Sequence, residues 1–175
     1  MTGFDSLEQL EAFQAGLITV QDESSLMVGL ASGVKNNNYV IDVCAAPGGK
    51  SLHISDLMNG TGCVEARDLT EYKVRLIQEN IKRIDIKNIK TKVMDAVVLD
   101  EDSIEKADIV IADLPCSGLG VIGNKSEIKY NVTKEQIDQL VLLQRDILRV
   151  VSRYVKPGGT LVFSTCTVNK FENDD

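Results

Sequence analysis

Tryptophan is absent from this chain of 175 residues, and histidine occurs once, at His53. A serine–histidine–aspartate triad would rest on that single imidazole, which falls in an expected helix, so triad hydrolysis is set aside. The four cysteines, Cys44, Cys63, Cys116 and Cys166, include no Cys-x-x-Cys pair. With one histidine beside them they do not read as a zinc site, and free thiols are expected. No apolar run reaches the ~20 residues of a membrane span, and the first residues lack the pattern of a secretory leader. A cytoplasmic protein with no metal and no membrane partner is therefore expected. Excess positive charge is missing as well. Lys and Arg total 19 against 26 Asp and Glu, a net charge of −7. That argues against a general nucleic-acid binder, whose footprint is basic, but leaves room for a nucleic-acid enzyme with a local basic face. The length and the 43% hydrophobic content fit one globular domain with a core of its own.

What is present centres on Tyr39 to Leu57. Tyr39 to Val43 is a β-branched run broken only by Asp42, which reads as a buried parallel strand. Ala45 to Gly49 are small residues around Pro47 and demand a tight turn. From Ser51 on, Leu52, Ile54 and Leu57 supply a helix face. Strand, small-residue loop and helix open a nucleotide-binding α/β fold, in which free N–H groups at the helix start and approachable glycines receive a ligand. The loop has neither Gly-x-x-x-x-Gly-Lys-Ser/Thr nor Gly-x-Gly-x-x-Gly spacing. An acid beside it suits a ligand with an amino acid moiety and a ribose better than a triphosphate.

The rest alternates in the same way. Met1 to Gly16, with Phe4, Leu7, Leu10 and Phe13, predicts one amphipathic helix, and Leu17 to Val20 a short strand. Asp22 or Ser24 is placed to cap a helix over Ser25 to Ser32. Further strands are expected at Cys63 to Ala66, Ile89 to Val93, Ala107 to Ala112 and Thr160 to Ser164. Helices are expected at Thr70 to Arg83 and Lys134 to Tyr154, a loop at Leu119 to Val132, and a sharp turn at Lys156 to Gly159. Such alternation implies a mostly parallel, doubly wound sheet with helices on both faces. Asp42 to Lys50, Asp68, Asp95, Asp113 to Cys116 and Thr165 to Cys166 all come directly after strands, at the edge where such sheets bind ligands. Asp68 suits ribose hydroxyls, and Asp95 an adenine amino group.

Two thiols and an acid, Cys116, Cys166 and Asp113, are thus expected at neighbouring strand ends. Beside an S-adenosylmethionine site this set suggests one reaction. Carbon-5 of a pyrimidine is a poor nucleophile until a thiolate adds to carbon-6, so a cysteine can act as covalent catalyst. An acid would hydrogen-bond or protonate the base edge. The base must be exposed, from single-stranded or flipped nucleic acid. Position alone does not rank the two thiols.

Asp42 to Ser51 (DVCAAPGGKS), Asp113 to Gly120 (DLPCSGLG) and Ser164 to Thr167 (STCT) resemble the three signature motifs of the RNA cytosine-5 methyltransferases. The resemblance runs from about Gly16 to Asn173 and is nearest the bacterial 16S ribosomal RNA methyltransferase B (Sun) group. Gln21 to Ser25, Gln144, Lys156 to Gly159 and Glu172-Asn173 resemble that family's supporting positions. The resemblance implies a Rossmann-like core, S-adenosyl-L-methionine as methyl donor, and RNA, chiefly 16S ribosomal RNA, as partner. It implies a cofactor site at Cys44, Ala45, Ala46, Pro47, Gly48, Gly49, Lys50, Asp68, Asp95 and Asp113. It makes Cys166 the nucleophile and Cys116 the residue that helps release product, whereas the DNA cytosine-5 enzymes would point to Cys116. To this we add the expectation that Lys50 pairs with Asp113 and tunes its protonation.

The chain also departs from the pattern. Val121 to Tyr130 carries Lys125 and Lys129 but no arginine or proline, and Arg67 stands where an apolar residue is usual. A helical lead-in over residues 1–33 and a catalytic core over residues 34–175 are expected. The family core continues with a further strand pair, so a catalytic fragment with an open sheet edge prone to self-association is expected. Transfer RNA methylation and a non-catalytic RNA-binding or ribosome-assembly module are the competing readings. A small-molecule methyltransferase has no need of paired thiols.

Overall fold

The β-branched runs form a single five-stranded sheet in a computed structural model, which describes residues 7–121 and 133–173. Its strands are β1 (Tyr39–Asp42), β2 (Cys63–Asp68), β3 (Ile89–Val93), β4 (Ala107–Asp113) and β5 (Val155–Ser164). They lie in the order β3-β2-β1-β4-β5, and every pair is parallel. Among the described residues two short helices precede the sheet, α1 (Glu11–Gln14) and α2 (Glu23–Ala31), and three connect its strands: α3 (Gly49–Leu57), α4 (Glu71–Ile84) and α5 (Lys134–Val151). The order reverses at β1, whose carboxyl end therefore opens onto a crevice. This is the doubly wound, Rossmann-like architecture the alternation predicts.

Alternation along the strands divides the core into two layers. Val40, Val64, Ala66, Ile109 and Ile111 face α3 and α4 through Leu52, Ile54, Met58 and Ile77. Ile41, Val110 and Ala112 face α5 through Ile147 and Val151, with Tyr154 beyond it. The helices start on side-chain caps. Asp22 accepts from the Ser24 N–H, Thr70 from the Lys73 N–H, and Thr133 and Gln136 close a reciprocal capping box. Of the two candidate caps for α2, Asp22 is used.

Three sequence expectations are corrected. The predicted N-terminal helix is broken: a 3-10 turn at Leu7–Gln9 is followed by the short α1. Phe4, which belongs to the same prediction, lies outside the described residues, as do Lys125 and Lys129. Leu17 to Val20 forms no strand. Arg83 on α4 holds the chain that follows α1, because its guanidinium donates to the carbonyls of Phe13 (2.8 Å) and Ile18 (3.1 Å). It also lies 3.8 Å over the Phe13 ring, so the chain wraps around this cation instead of continuing. The expected turn at Lys156 to Gly159 is a bulge inside β5. Ala107 pairs with Val155 and Ile109 with Thr160, and Gly158 takes a φ of 80° within the excess.

Arg67 is buried and acts as a hub. It donates to Glu65 (2.7 Å) and Ser103 (2.6 Å), pairs with Asp100 at 3.2 Å, and lies over the Tyr154 ring. Five donors in a fixed fork satisfy this set where an apolar residue would satisfy none of it. Arg67→Met is expected to cost about 2 kcal/mol in urea unfolding, because it strips partners from two partly buried carboxylates. A change below about 0.5 kcal/mol would show the hub to be dispensable.

Candidate active site

The site is built from the segments directly after β1, β4 and β5. After β1 the backbone turns through Cys44 to Gly48, with a cis peptide between Ala46 and Pro47. Gly48, the N-cap of α3, has a φ of 108°, and a side chain there would press on Ile77 at 3.3 Å. Glycine meets both demands. Asp68, at the end of β2, fixes this loop from behind. Its carboxylate accepts the N–H groups of Ala46 (3.0 Å) and Leu69 (2.8 Å) and pairs with Lys73 at 3.1 Å.

The loop borders a cavity of about 240 Å³ lined by Val20, Gln21, Asp22, Ser25, Asp42, Cys44, Ala45, Ala46, Pro47, Gly49, Lys50 and Asp113. Seven of the ten predicted cofactor residues therefore share one wall. Gly48, Asp68 and Asp95 are not among the lining residues. Asp95, after β3, accepts the Val97 N–H at 3.1 Å and is exposed. Sequence reading took Gln21 to Ser25 only as supporting positions, yet Gln21, Asp22 and Ser25 close the cavity. A polar run directly after the apolar Leu17 to Val20 is the one sequence signal that could have placed them there.

Polar balance inside the cavity is incomplete. Asp42 is fully buried, and its Oδ2 accepts from Ser51 at 2.6 Å, but its Oδ1 has no hydrogen-bond partner among the described residues. Burial pushes its carboxyl up to about 7; Asp113 and Asp68 add to this, while the Ser51 bond and Lys50 oppose it. Gln21 Nε2 is likewise buried and unpartnered. An unmet acceptor and an unmet donor on one cavity suit a ligand that carries both an ammonium and a carboxylate. Burial also pushes the Cys44 thiol up to about 12, so it stays protonated at neutral pH.

Lys50 ties the cavity to the end of β4. Its ammonium donates to Asp113 Oδ2 at 2.7 Å and to Ser25 at 3.2 Å, and Ser164 donates to Asp113 Oδ1 at 2.7 Å. The expected Lys50–Asp113 pair is thus present, and β4 and β5 are tied at their carboxyl ends. Just beyond, Cys116 and Cys166 bring their sulfurs to 3.2 Å, and the Cys166 N–H points at the Cys116 sulfur at 3.2 Å. Gly120 closes the same region. Its N–H donates to the Cys166 carbonyl at 3.0 Å, and a side chain there would meet that oxygen at 2.9 Å.

The two thiols differ in setting. Cys166 is exposed and Cys116 half-buried. Burial, and next the hydrogen bond with Cys166, push the Cys116 thiol up to about 12. Beneath them runs a buried polar network that sequence reading did not assemble. Glu172 accepts from the Ser117 N–H (2.8 Å), the Ser117 hydroxyl (2.5 Å), Gln144 (3.2 Å) and Asn169 (3.2 Å). The Ser117 and Thr167 hydroxyls meet at 2.8 Å, and Gln144 also donates to the Pro115 carbonyl at 2.8 Å. Among the described residues no helix is long and apolar enough to cross a membrane, and no group of three or more His, Cys, Asp or Glu is placed to hold a metal ion.

A family model described as 16S rRNA methyltransferase RsmB/F matches residues 30–175. The chain is 44% identical over 164 residues to the probable ribosomal RNA small subunit methyltransferase B of Bacillus subtilis, covering 93% of this chain and 37% of that one. It is 36% identical over 169 residues to the tRNA (cytosine(72)-C(5))-methyltransferase of Pyrococcus horikoshii, covering 97% and 42%. The crystal structure of NSun6 from Pyrococcus horikoshii with SFG superposes with a TM-score of 0.90 at 34% identity, over 98% of this chain and 44% of that one. The chain thus spans 37% to 44% of the length of these relatives.

Proposed function

Since the chain belongs to the 16S rRNA methyltransferase RsmB/F family, we propose that it is the catalytic core of an enzyme that methylates cytosine carbon-5 in RNA. In this reading S-adenosylmethionine is the methyl donor and 16S ribosomal RNA in the cytoplasm the substrate. One observation carries the reading: two thiols 3.2 Å apart lie at the mouths of β4 and β5, joined through Asp113 to a cavity with unmet polar groups. The NSun6 structure, with SFG, an S-adenosylmethionine analogue, supports the choice of donor. Asp42, Gln21, Lys50 and the Cys44 to Gly49 loop would hold that donor, which supplies an electrophilic methyl group.

The chain's own residues do the rest. Cys166, as thiolate, adds to carbon-6 of the cytosine and forms a sulfur–carbon bond, which makes carbon-5 nucleophilic. Asp113, held by Lys50 and Ser164, is oriented to hydrogen-bond the base edge and stabilise the adduct. Once carbon-5 carries the methyl group, its proton passes to a water molecule, the electrons of that bond re-form the 5,6 double bond, and the sulfur–carbon bond breaks to return the Cys166 thiolate. Cys116 supports that release. Lys50→Met leaves Asp113, among the described residues, with Ser164 as its one fixed side-chain partner. It is expected to lower kcat by roughly ten- to a hundredfold, in line with losing a charge-assisted hydrogen bond that orients a catalytic group. An unchanged kcat would remove Lys50 from the machinery.

The test of the whole reading is covalent trapping. The protein is incubated with S-adenosylmethionine and 5-fluorocytosine-containing RNA hairpins from 16S ribosomal RNA and from transfer RNA. A denaturation-resistant adduct with the ribosomal hairpin is expected. An adduct with transfer RNA alone would move the substrate to the class named for the Pyrococcus relative. Donor binding by calorimetry without any adduct would overturn the catalytic reading.

A further inference from the structure

Glu172 is a buried carboxylate five residues beyond the Ser164 to Thr167 motif, and the proposed chemistry gives it no task. It collects four donors from three separate segments: Ser117 by backbone and hydroxyl, Gln144 from α5, and Asn169 from the stretch after β5. Glu172, Ser117, Gln144 and Thr167 are all at least nine-tenths buried. A carboxylate is costly to bury unless it is hydrogen-bonded, and bonds to an ionised acceptor are the strong kind. Here two of those bonds fall on the residue directly after Cys116. Ser117 passes the grip to Thr167, the residue directly after Cys166, at 2.8 Å. Gln144 holds the residue directly before Cys116 through the Pro115 carbonyl. The network therefore grips both neighbours of one thiol and one neighbour of the other, and touches neither sulfur.

We propose that Glu172 is a positioning residue that sets the Cys116 thiol against Cys166. This rests on the roles given to the thiols above. If Cys116 supports release, a loosened clamp impairs release while leaving the exposed Cys166 free to attack. Loss of Glu172 is then expected to resemble a partial loss of Cys116. A residue that only stabilised the fold would depress both steps together.

Two measurements test this. In the first, without RNA, the protein is treated with diamide, which takes two electrons and two protons from the thiol pair and becomes a hydrazine as the Cys116–Cys166 disulfide forms. Glu172→Ala is expected to slow disulfide formation by roughly ten- to a hundredfold, the loss of a bond to a charged group. Alkylation of Cys166 by iodoacetamide should stay within about twofold of wild type. Glu172→Gln keeps one acceptor for the Ser117 N–H and should fall between. Ser117→Ala, which keeps the backbone bond, should show a smaller effect in the same direction and carries the test if Glu172→Ala does not fold. Disulfide formation at the wild-type rate in all three variants would overturn the clamp. In the second, with unmodified cytosine RNA and S-adenosylmethionine, the Glu172 variants are expected to accumulate covalent adduct that wild type clears. Equal loss of adduct formation and turnover would make Glu172 merely structural. If wild type itself forms no adduct on 5-fluorocytosine RNA, the proposed function fails, and the diamide result still judges the clamp.

Discussion

Cys166→Ala is expected to abolish the denaturation-resistant adduct with 5-fluorocytosine RNA and to lower methyl transfer by roughly a thousandfold or more, the scale of losing a covalent nucleophile. Cys116→Ala is expected to keep that adduct and, with unmodified cytosine RNA, to accumulate adduct that wild type clears. The two thiols share one contact, so the difference lies in their surroundings. Cys166 is exposed beyond β5, open to a base presented from solvent. Cys116 is half-buried, and burial pushes its thiol up to about 12, so at neutral pH it carries its proton and attacks poorly. Gel mobility after denaturation reads the adduct, and labelled methyl groups read the transfer. An adduct that survives in Cys166→Ala and disappears in Cys116→Ala would exchange the two roles.

Position along the chain does not make that ranking; the resemblance of Ser164 to Thr167 implies it, and the burial of Cys116 is the physical reason the fold adds. What a sequence shows is local pattern. Tyr39 to Leu57 was legible because a β-branched run, a small-residue turn and a helical stripe succeed one another without interruption. The ligand edge was legible because acids and thiols recur directly after strands, and parallel topology puts every strand end on one side. Lys50 could be paired with Asp113 for the same reason. The failures have a common cause in partners distant along the chain. Arg83 takes the carbonyls of Phe13 and Ile18, and nothing in residues 1–20 announces that a cation from α4 will claim them. Arg67 looked like a misfit until Glu65, Ser103 and Asp100 gathered round it. Lys-Pro-Gly-Gly carries every mark of a turn, yet pairing on both sides of it with β4 keeps it within one strand. The Glu172 network draws on residues from Pro115 to Glu172, and no periodicity joins them.

Asp42 gives the largest expected effect on stability. Burial raises its carboxyl from 3.8 to about 7. Below pH 3.8 the group is protonated in the folded and unfolded chain alike and costs nothing. Between there and about pH 7 the unfolded chain has released the proton and the folded chain has kept it. Unfolding then releases a proton, so stability falls as pH rises. Above about pH 7 the full penalty applies, ~4 kcal/mol at 1.36 kcal/mol per pH unit. Asp42→Asn mimics the protonated acid: it keeps an acceptor for Ser51 and places a neutral group where Oδ1 has no partner. In urea unfolding, the stability of the variant relative to wild type is expected to grow by roughly 2–3 kcal/mol between pH 5 and pH 8. A gap independent of pH would show that Asp42 ionises normally. Binding should run the other way. An ammonium on the donor would pair with the ionised form, so donor affinity in wild type is expected to rise over this pH window. Asp42→Asn is expected to weaken that affinity by about ten- to a hundredfold. A variant that gains stability at pH 8 and still binds the donor as tightly as wild type would leave Asp42 a strained strand end with no part in the site. Gained stability with lost binding is the signature of a charge kept buried for its ligand.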